Sequence, residues 1–347
     1  MNDLFWGLNF TDWETTKLAE PLFKKHKQPF LPSKLGYYDL RNVDAIKKQA
    51  TMARNYGVDG FAIYHYFFDK KTKALDTPVN IIRNNSDIDI DYYLCWVNVD
   101  WSKSWVGDHN TLLYKQGYTE DTIKELAKNA CHHFADRRYY KINNIPLFHI
   151  HEPYKIDFAR FKQIFLKHTS LNGFPKVLFC APEIHVKKSQ INNLDYLTGY
   201  PPGDFSFLKL KMHLIYSSLL SHYKYKIIQR LFSIFSTLHY PRYVNEYLRY
   251  IDIKCSNKKY IPTVLSGWDN TPRYKHRGFL FSQFNGEHFG RLCRGALNAS
   301  IKNNKEFFMI KAWNEWAEGN VMEPSEQFGF SMLENFSNAK NCNQINT

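Results

Sequence analysis

The chain has 347 residues, of which 44% are hydrophobic and 17% aromatic. Disordered chains are poor in aromatic residues, so disorder is excluded for the bulk of it, and the length suits two average domains or one large α/β barrel with insertions. The net charge of +13 favours anionic partners, although no block of five or six like charges occurs and lysine covering the surface explains it equally.

Six cysteines are spread along the chain without a C-x-x-C pair, which argues against a zinc ribbon or a dithiol redox motif. The opening MNDLFWGLNF lacks the basic start and apolar run of a signal peptide, and no run of eighteen apolar residues occurs. A cytoplasmic location with free thiols is the expectation.

Short apolar runs alternate with helical patterns. In chain order the runs are 58–68 (VDGFAIYHYFF), 92–98 (YYLCWVN), 145–151 (IPLFHIH), 176–181 (KVLFCA), 194–200 (LDYLTGY), 260–268 (YIPTVLSGW) and 307–313 (FFMIKAW). Helical patterns such as 43–56 and 119–134 lie between them. Repeated strand–helix alternation predicts an α/β fold with a parallel sheet. Seven such strands fit a TIM-type (β/α)8 barrel short of one strand, with a doubly wound open sheet as the alternative. The open sheet is disfavoured because no Gly-rich phosphate loop follows an early strand.

Alternation along each strand divides barrel-filling from helix-facing residues. It puts Tyr64 and Tyr66 opposite Phe61, Ile63 and Phe67. It puts His149 and His151, and then Met309, Lys311, Trp313 and Glu315, inside. In the run at 92–98 the apolar Cys95 and Val97 suit the helix side, which turns Trp96, Asn98 and Asp100 inward. Polar and aromatic residues thus gather at the carboxyl ends of the strands, where barrel enzymes build their sites.

Residues 205–254 break this rhythm, with eight Lys or Arg against two acids. This stretch reads either as an outer helix or insertion packed on the barrel, or as a basic amphipathic helix lying on an anionic membrane. The expected organisation is one barrel domain over 1–336, a basic insertion near 205–254, and a flexible polar tail over 337–347.

The sharpest local feature is Trp313-Asn314-Glu315-Trp316-Ala317-Glu318-Gly319. Acids three residues apart share a face only if the chain turns there. Glu315 and Glu318 would then meet in one cleft, as glycosidic bond cleavage requires. Like charges held close raise one pKa, keeping one acid protonated near neutrality. The tryptophans supply flat faces for sugar rings. The segment 96–105 (WVNVDWSKSW) again joins stacking to hydrogen bonding through Trp96, Asn98, Asp100 and Trp101. After the strand at 260–268, Asp269 and Arg273 could bind hydroxyls or an anion, and Asp269-Asn270-Thr271-Pro272 is equally a good turn sequence. Asp87-x-Asp89 precedes a strand and reads as a surface turn. Cys131-His132-His133 lacks ligand spacing, and His65 reads as a core histidine. Nucleic-acid binding has no module behind it, and neither a metal nor another cofactor is expected.

Beyond these residues, the chain resembles the WbsX-type glycosyltransferases, a group related to glycoside hydrolase family 99. The matching stretches are 10–42, YGVDGFAIYHYFF at 56–68, LCWVNVDW at 94–101, YYKINNIPLFHIHEP at 139–153, GWDNTPR at 267–273 and AWNEWAEGNVMEP at 312–324. The resemblance implies a (β/α)8 barrel and retaining glycosidic chemistry. It implies that Glu315 takes a proton from the sugar 2-hydroxyl and that Glu318 is the general acid/base at the leaving oxygen. Tyr64, Tyr66, Trp96, Asn98, Asp100, Trp101, Asp269 and Arg273 would line the sugar site. The family's first apolar strand has no counterpart before Trp6-Gly7, so the expectation is a misassigned start, a fragment, or a barrel left incomplete at its amino-terminal end. The substrate would be an oligosaccharide or polysaccharide, with a nucleotide-sugar or lipid-linked donor. The setting would be O-antigen, lipopolysaccharide or capsule biosynthesis at the cytoplasmic face of the inner membrane. A non-catalytic glycan-binding or scaffold protein derived from such an enzyme is the alternative.

Overall fold

The computed structural model describes residues 5, 10–23, 26–103, 110–204 and 237–344. The strands that form its wall are β1 (Gly60–Phe67), β2 (Asp91–Trp96), β3 (Ile145–Ile150), β4 (Leu178–Pro182) and β5 (Tyr196–Thr198). After β6 (Thr237–His239) come β7 (Tyr260–Ile261), β8 (Thr263–Leu265), β9 (Leu280–Ser282) and β10 (Met309–Lys311). Each of the seven runs anticipated from the sequence contributes one stave.

The strands lie side by side in the order β1, β2, β3, β4, β5, β7, every pairing parallel. Pro262, which has no N–H to give to a ladder, separates β7 from β8. β7 pairs back to β5 and β8 pairs forward to β10. The wall therefore runs from β1 round to β10. Among the described residues no strand joins β10 to β1, so over those residues the TIM-type barrel is unclosed. Where the closing pair would be, the rings of Phe61 and Trp313 stand 5.2 Å apart. β6 and β9 form a separate parallel pair.

Helices fall between the strands as the alternation requires. They are α1 (Asp12–Lys17), α2 (Val43–Asn55), α3 (Thr77–Asn84), α4 (Glu120–Phe134), α5 (Phe158–Leu171), α6 (Tyr240–Cys255), α7 (Thr271–Tyr274), α8 (Gly286–Lys302) and α9 (Ser331–Gln344). Four of them start on a side chain that accepts a first-turn N–H: Asn42, Thr119, Asp157 and Asn285. Each such cap is worth about 1 kcal/mol. One core cluster fills the space between β1–β5 and α2–α5, and a second packs α6, α8 and α9 against β8 and β9. No helix among the described residues is long and apolar enough to cross a membrane.

Three expectations are corrected. Residues 240–254 belong to α6, a barrel helix whose Tyr243, Val244, Tyr247 and Ile251 are fully buried. Its basic residues are the solvated side of an amphipathic helix, and only 205–236 of the expected insertion falls outside the described residues. Residues 337–344 are the end of α9 rather than a loose tail, anchored through the buried Phe336 and Ala339. Third, the parity of β2 is reversed. Its register sets Cys95 beside Tyr64 and Trp96 beside His65. His65 faces α4, where its ring lies 6.2 Å from that of His133. Trp96 accordingly points to the helices and stacks on Phe161 of α5 at 5.5 Å. Cys95 faces the lumen beside Tyr64, and a small apolar side chain suits either face of the wall, so its character does not mark the helix side.

Candidate active site

The segment after β10 turns back on itself. Asn314 and Glu315 pair antiparallel with Asn320 and Val321, and residues Trp316–Glu318 form one 3-10 turn between them. Gly319 closes the turn at φ +56°. A Cβ at Gly319 would lie 2.9 Å from Asp269 Cβ and 3.0 Å from its backbone nitrogen, so no other residue fits. The tight approach lets Asp269 N–H donate to the Glu318 carbonyl at 2.6 Å. This turn supplies the change of direction that puts both acids in one cleft.

Arg273, on α7, joins them. Its Nη1 donates to Glu318 Oε1 at 2.8 Å and its Nη2 to Glu315 Oε2 at 3.4 Å. The same Nη2 donates to Asp12 Oδ2 at 2.8 Å. The guanidinium fork can serve several carboxylates at once, which a lysine ammonium does less well. Glu315 keeps 38% of its side-chain surface accessible through the open mouth, against 20% for Glu318 and 11% for Arg273. Protein surrounds it on the other sides. Burial and then the Glu318 charge push its carboxyl up to about 7, against the opposing pull of Arg273.

Lys311 ends β10 and points inward, as its parity requires. Its Nζ stands 4.1 Å from the centre of the Tyr200 ring and 5.0 Å from that of Trp268, close enough for cation–π attraction. Burial lowers its pKa, opposed by Glu318, Glu315 and Asp204.

Tyr64 and Tyr66 project from β1 on the same side, their rings 6.5 Å apart. Burial first, and then neighbouring groups that include Glu315, push both phenols up. Trp101 stacks on Tyr66 at 5.8 Å. Tyr64 and Tyr66 thus extend the cleft from the acids toward the β1–β2 side, and Trp101, buried against Phe68 and Tyr114, backs Tyr66 rather than opening on the cleft.

The other expected ligand residues are engaged in the fold. Trp96 is fully buried and its Nε1 donates to the Phe67 carbonyl. Asn98 is fully buried, donates to the Glu152 carbonyl and accepts from the Glu152 N–H, both at 2.8 Å. Asp100 is exposed and accepts from the Gln116 N–H. Asp269 receives His26 Nε2 at 2.7 Å, Gln28 Nε2 at 2.6 Å and the hydroxyl and N–H of Thr271. Its carboxylate ties residues 26–28 to the site loop. Trp96, Asn98 and Asp269 are corrected from sugar ligands to supports, while Asp100 stands exposed with one carboxylate oxygen on Gln116. Trp105 lies outside the described residues.

Sequence reasoning missed several residues. Glu323 is buried beneath the turn and accepts from Gln49 Nε2 at 2.7 Å, Tyr38 Oη at 2.8 Å and Trp316 Nε1 at 2.9 Å. Tyr38 Oη also accepts from Asn314 Nδ2 at 3.2 Å. Trp13 packs over Trp316 and Tyr38 and donates to the Tyr38 carbonyl. Tyr200 was visible at the end of a predicted strand, and Lys311 by its inward parity. Asp12 carried no signal in DWETTK.

The unclosed barrel thus sets two glutamates after its last stave, β10, and the arginine that binds both of them after β8. The chain belongs to the WbsX glycosyltransferase family, whose model matches residues 1–336. It is 26% identical over 350 residues to the WxcX protein of Xanthomonas campestris pv. campestris, itself described as uncharacterized, covering 96% of this chain. It spans about half the length of that relative, 46%. Its fold is similar to that of a GH99 endo-alpha-mannosidase from Bacteroides thetaiotaomicron, with TM-score 0.55 and 15% identity over 91% of this chain and 88% of that one. A glycoside hydrolase-like protein gives TM-score 0.55 and 14% identity over 95% and 99% of the two chains.

Proposed function

We propose that this protein makes or breaks a glycosidic bond in cell-surface polysaccharide metabolism, using Glu315 and Glu318 at the anomeric centre. The observation that carries the reading is Arg273 bound to both glutamates in one cleft. Arg273 occupies Glu318 Oε1 and Glu315 Oε2, which leaves the second oxygen of each acid for substrate. An acid whose pKa stands at about 7 is poised to act as a base at neutral pH. Glu315 would take the proton of the sugar 2-hydroxyl as that oxygen closes on the anomeric carbon and the bond to the leaving oxygen breaks, and would return it when the incoming hydroxyl displaces the 2-oxygen from that carbon. Near neutrality the two glutamates share one proton; in the reactive state it sits on Glu318, which would give it to the leaving oxygen and then take one back from the incoming hydroxyl. Tyr64 and Tyr66 would hold the sugar rings, with the buried Trp101 packed behind Tyr66. These steps need no cofactor.

The family favours transfer, with an oligosaccharide or polysaccharide acceptor and a nucleotide-sugar or lipid-linked donor. O-antigen or capsule assembly at the inner face of the cytoplasmic membrane is the setting we assign. Peripheral membrane contact would fall to the basic residues of 205–236, and no nucleic acid is involved.

The test is incubation with α-linked oligosaccharides, and with nucleotide sugars plus acceptors, read by mass spectrometry. Glu318→Gln should lower turnover at least about 100-fold with folding intact, as loss of a general acid does. Lengthened acceptors mean a transferase and shortened glycans a hydrolase. Full activity in that variant sinks the assignment. The unclosed wall between β10 and β1 favours a second reading, a glycan-binding scaffold, for which saturable binding without turnover is the expected result.

A further inference from the structure

We propose that His151, Glu152 and His185 form a binding site for a divalent transition-metal ion, of the zinc class, beside the sugar cleft. One ligand atom from each of the three residues lies within 4.8 Å of the others, the one such cluster among the described residues. The site is independent of the glutamate pair and of the reaction assigned to it.

Topology makes the cluster. β3 and β4 are neighbours in the wall. His151 and Glu152 follow β3 directly, and His185 closes the short 3-10 turn Glu183–His185 that follows β4. The two imidazoles meet with ring centroids 5.1 Å apart.

The hydrogen bonds around the cluster prepare it for a cation. His185 Nδ1 lies 2.8 Å from the His151 carbonyl. A carbonyl only accepts, so Nδ1 carries the proton and Nε2 presents a lone pair. That arrangement, with the second nitrogen donated to a carbonyl, is how metal-binding histidines are commonly oriented. Glu152 is fixed by the buried Asn98, which grips its backbone N–H and carbonyl together. Tyr154 Oη at 3.0 Å and Lys155 Nζ at 2.7 Å both address Glu152 Oε2. The ion pair thus uses one carboxylate oxygen and leaves Oε1 to ligate.

Two imidazole nitrogens and one carboxylate oxygen are a ligand set for zinc with one position open. Tetrahedral zinc with bonds of about 2.1 Å needs ligand atoms about 3.5 Å apart, so binding would draw the three groups together from within 4.8 Å, and His185 and Glu152 are both only partly buried. The His151 ring lies 5.9 Å from Tyr64 and 5.4 Å from Tyr200. The open position would take water or an oxygen of a molecule bound against those tyrosines.

The experiment uses the full chain, stripped with a chelator and titrated with zinc chloride by calorimetry, then with cobalt chloride by visible absorption. One equivalent of zinc should bind, and cobalt should give the d–d bands of nitrogen and oxygen ligation. His185→Ala and Glu152→Gln should each weaken zinc at least about 100-fold, beyond the 10–100-fold that outer partners cost. Asn98→Ala should weaken it about 10-fold, and Glu315→Gln should bind as the parent does. Circular dichroism checks that each variant is folded. No stoichiometric zinc, or unchanged affinity in folded His185→Ala and Glu152→Gln, overturns the site. Binding is read without turnover, so this result stands or falls apart from the glycosidic assignment.

Discussion

Asp12 reaches Arg273 across 261 positions of sequence, Oδ2 to Nη2 at 2.8 Å. The arginine that binds both glutamates is therefore held from the far side by the first residue of α1. Asp12 also raises the Glu315 pKa by its charge, whereas Arg273 lowers it. Asp12→Asn should consequently let the Glu315 carboxyl fall from about 7. If Glu315 acts as the ionised base, the acidic limb of kcat/KM against pH moves to lower pH. The asparagine oxygen still accepts from Arg273 and only the charge is lost, so away from the limb kcat/KM should fall less than about 10-fold. An unmoved limb would detach Asp12 from Glu315.

Lys311 acts in the opposite sense. Its charge lowers the Glu315 pKa, so Lys311→Met should raise it and move the acidic limb to higher pH. The methionine keeps a long apolar stem against Tyr200 and Trp268, and the fold should hold. The two substitutions together check that one acid governs the limb, because they shift it in contrary directions. A common direction would assign the limb to another group.

Glu323 supports the turn from below. Burial pushes its carboxyl up to about 7 from an ordinary 4.5, against the pull of its hydrogen-bond donors. The folded protein thus keeps a proton that the unfolded chain releases above pH 4.5. Stability from this group is full at low pH and declines as pH rises from about 4.5 to about 7, and Glu315 adds a decline of the same sign. Glu323→Gln should flatten the slope. It also sets an amide NH2 against one or more of the three donors Gln49, Tyr38 and Trp316, with a cost of about 1–3 kcal/mol. Thermal melts of both proteins between pH 4.5 and 7.5 measure slope and offset together.

Most of the wall was legible because its staves are short apolar runs between amphipathic helices, and both Glu315 and Glu318 stand in one conspicuous segment. Proximity across the chain was not legible. Asp12, Tyr38 and Gln49 reach the site from the amino-terminal segment, and no local pattern marks a residue whose partner is more than 200 positions away. The role of Asp269 was hidden for the same reason: His26 and Gln28, which occupy its carboxylate, are 243 and 241 residues distant. Trp96 failed differently. Alternation fixes which residues share a face and leaves open which face is the lumen, and Cys95 is as apolar as any helix-facing residue.

That correction has its own measurement. Trp96 is fully buried against Phe161, so Trp96→Ala should lose about 3–5 kcal/mol of stability by cavity formation. Per folded molecule, KM for a glycan should stay where it is. Urea titration reads the first, and kinetics normalised to folded protein read the second. A raised KM with stability intact would return Trp96 to the sugar site.

Gly319 tests whether the site depends on the close approach of two loops. Gly319 and Gly36 both have positive φ, +56° and +63°. A methyl group at Gly36 meets nothing within 4 Å, whereas at Gly319 it meets Asp269 at 2.9 Å. Gly36→Ala should therefore cost only the left-handed conformation, about 1–2 kcal/mol, and leave turnover unchanged. Gly319→Ala carries that cost and must also separate the turn from Asp269, breaking the 2.6 Å bond from Asp269 N–H to the Glu318 carbonyl. The Glu318 backbone then shifts relative to Arg273. A displacement near 1 Å at a reacting group is worth about 100-fold in rate. Comparison of kcat for the two variants at matched folded concentration separates backbone strain from misplacement. Equal activity would mean that the contact with Asp269 does not set the position of Glu318.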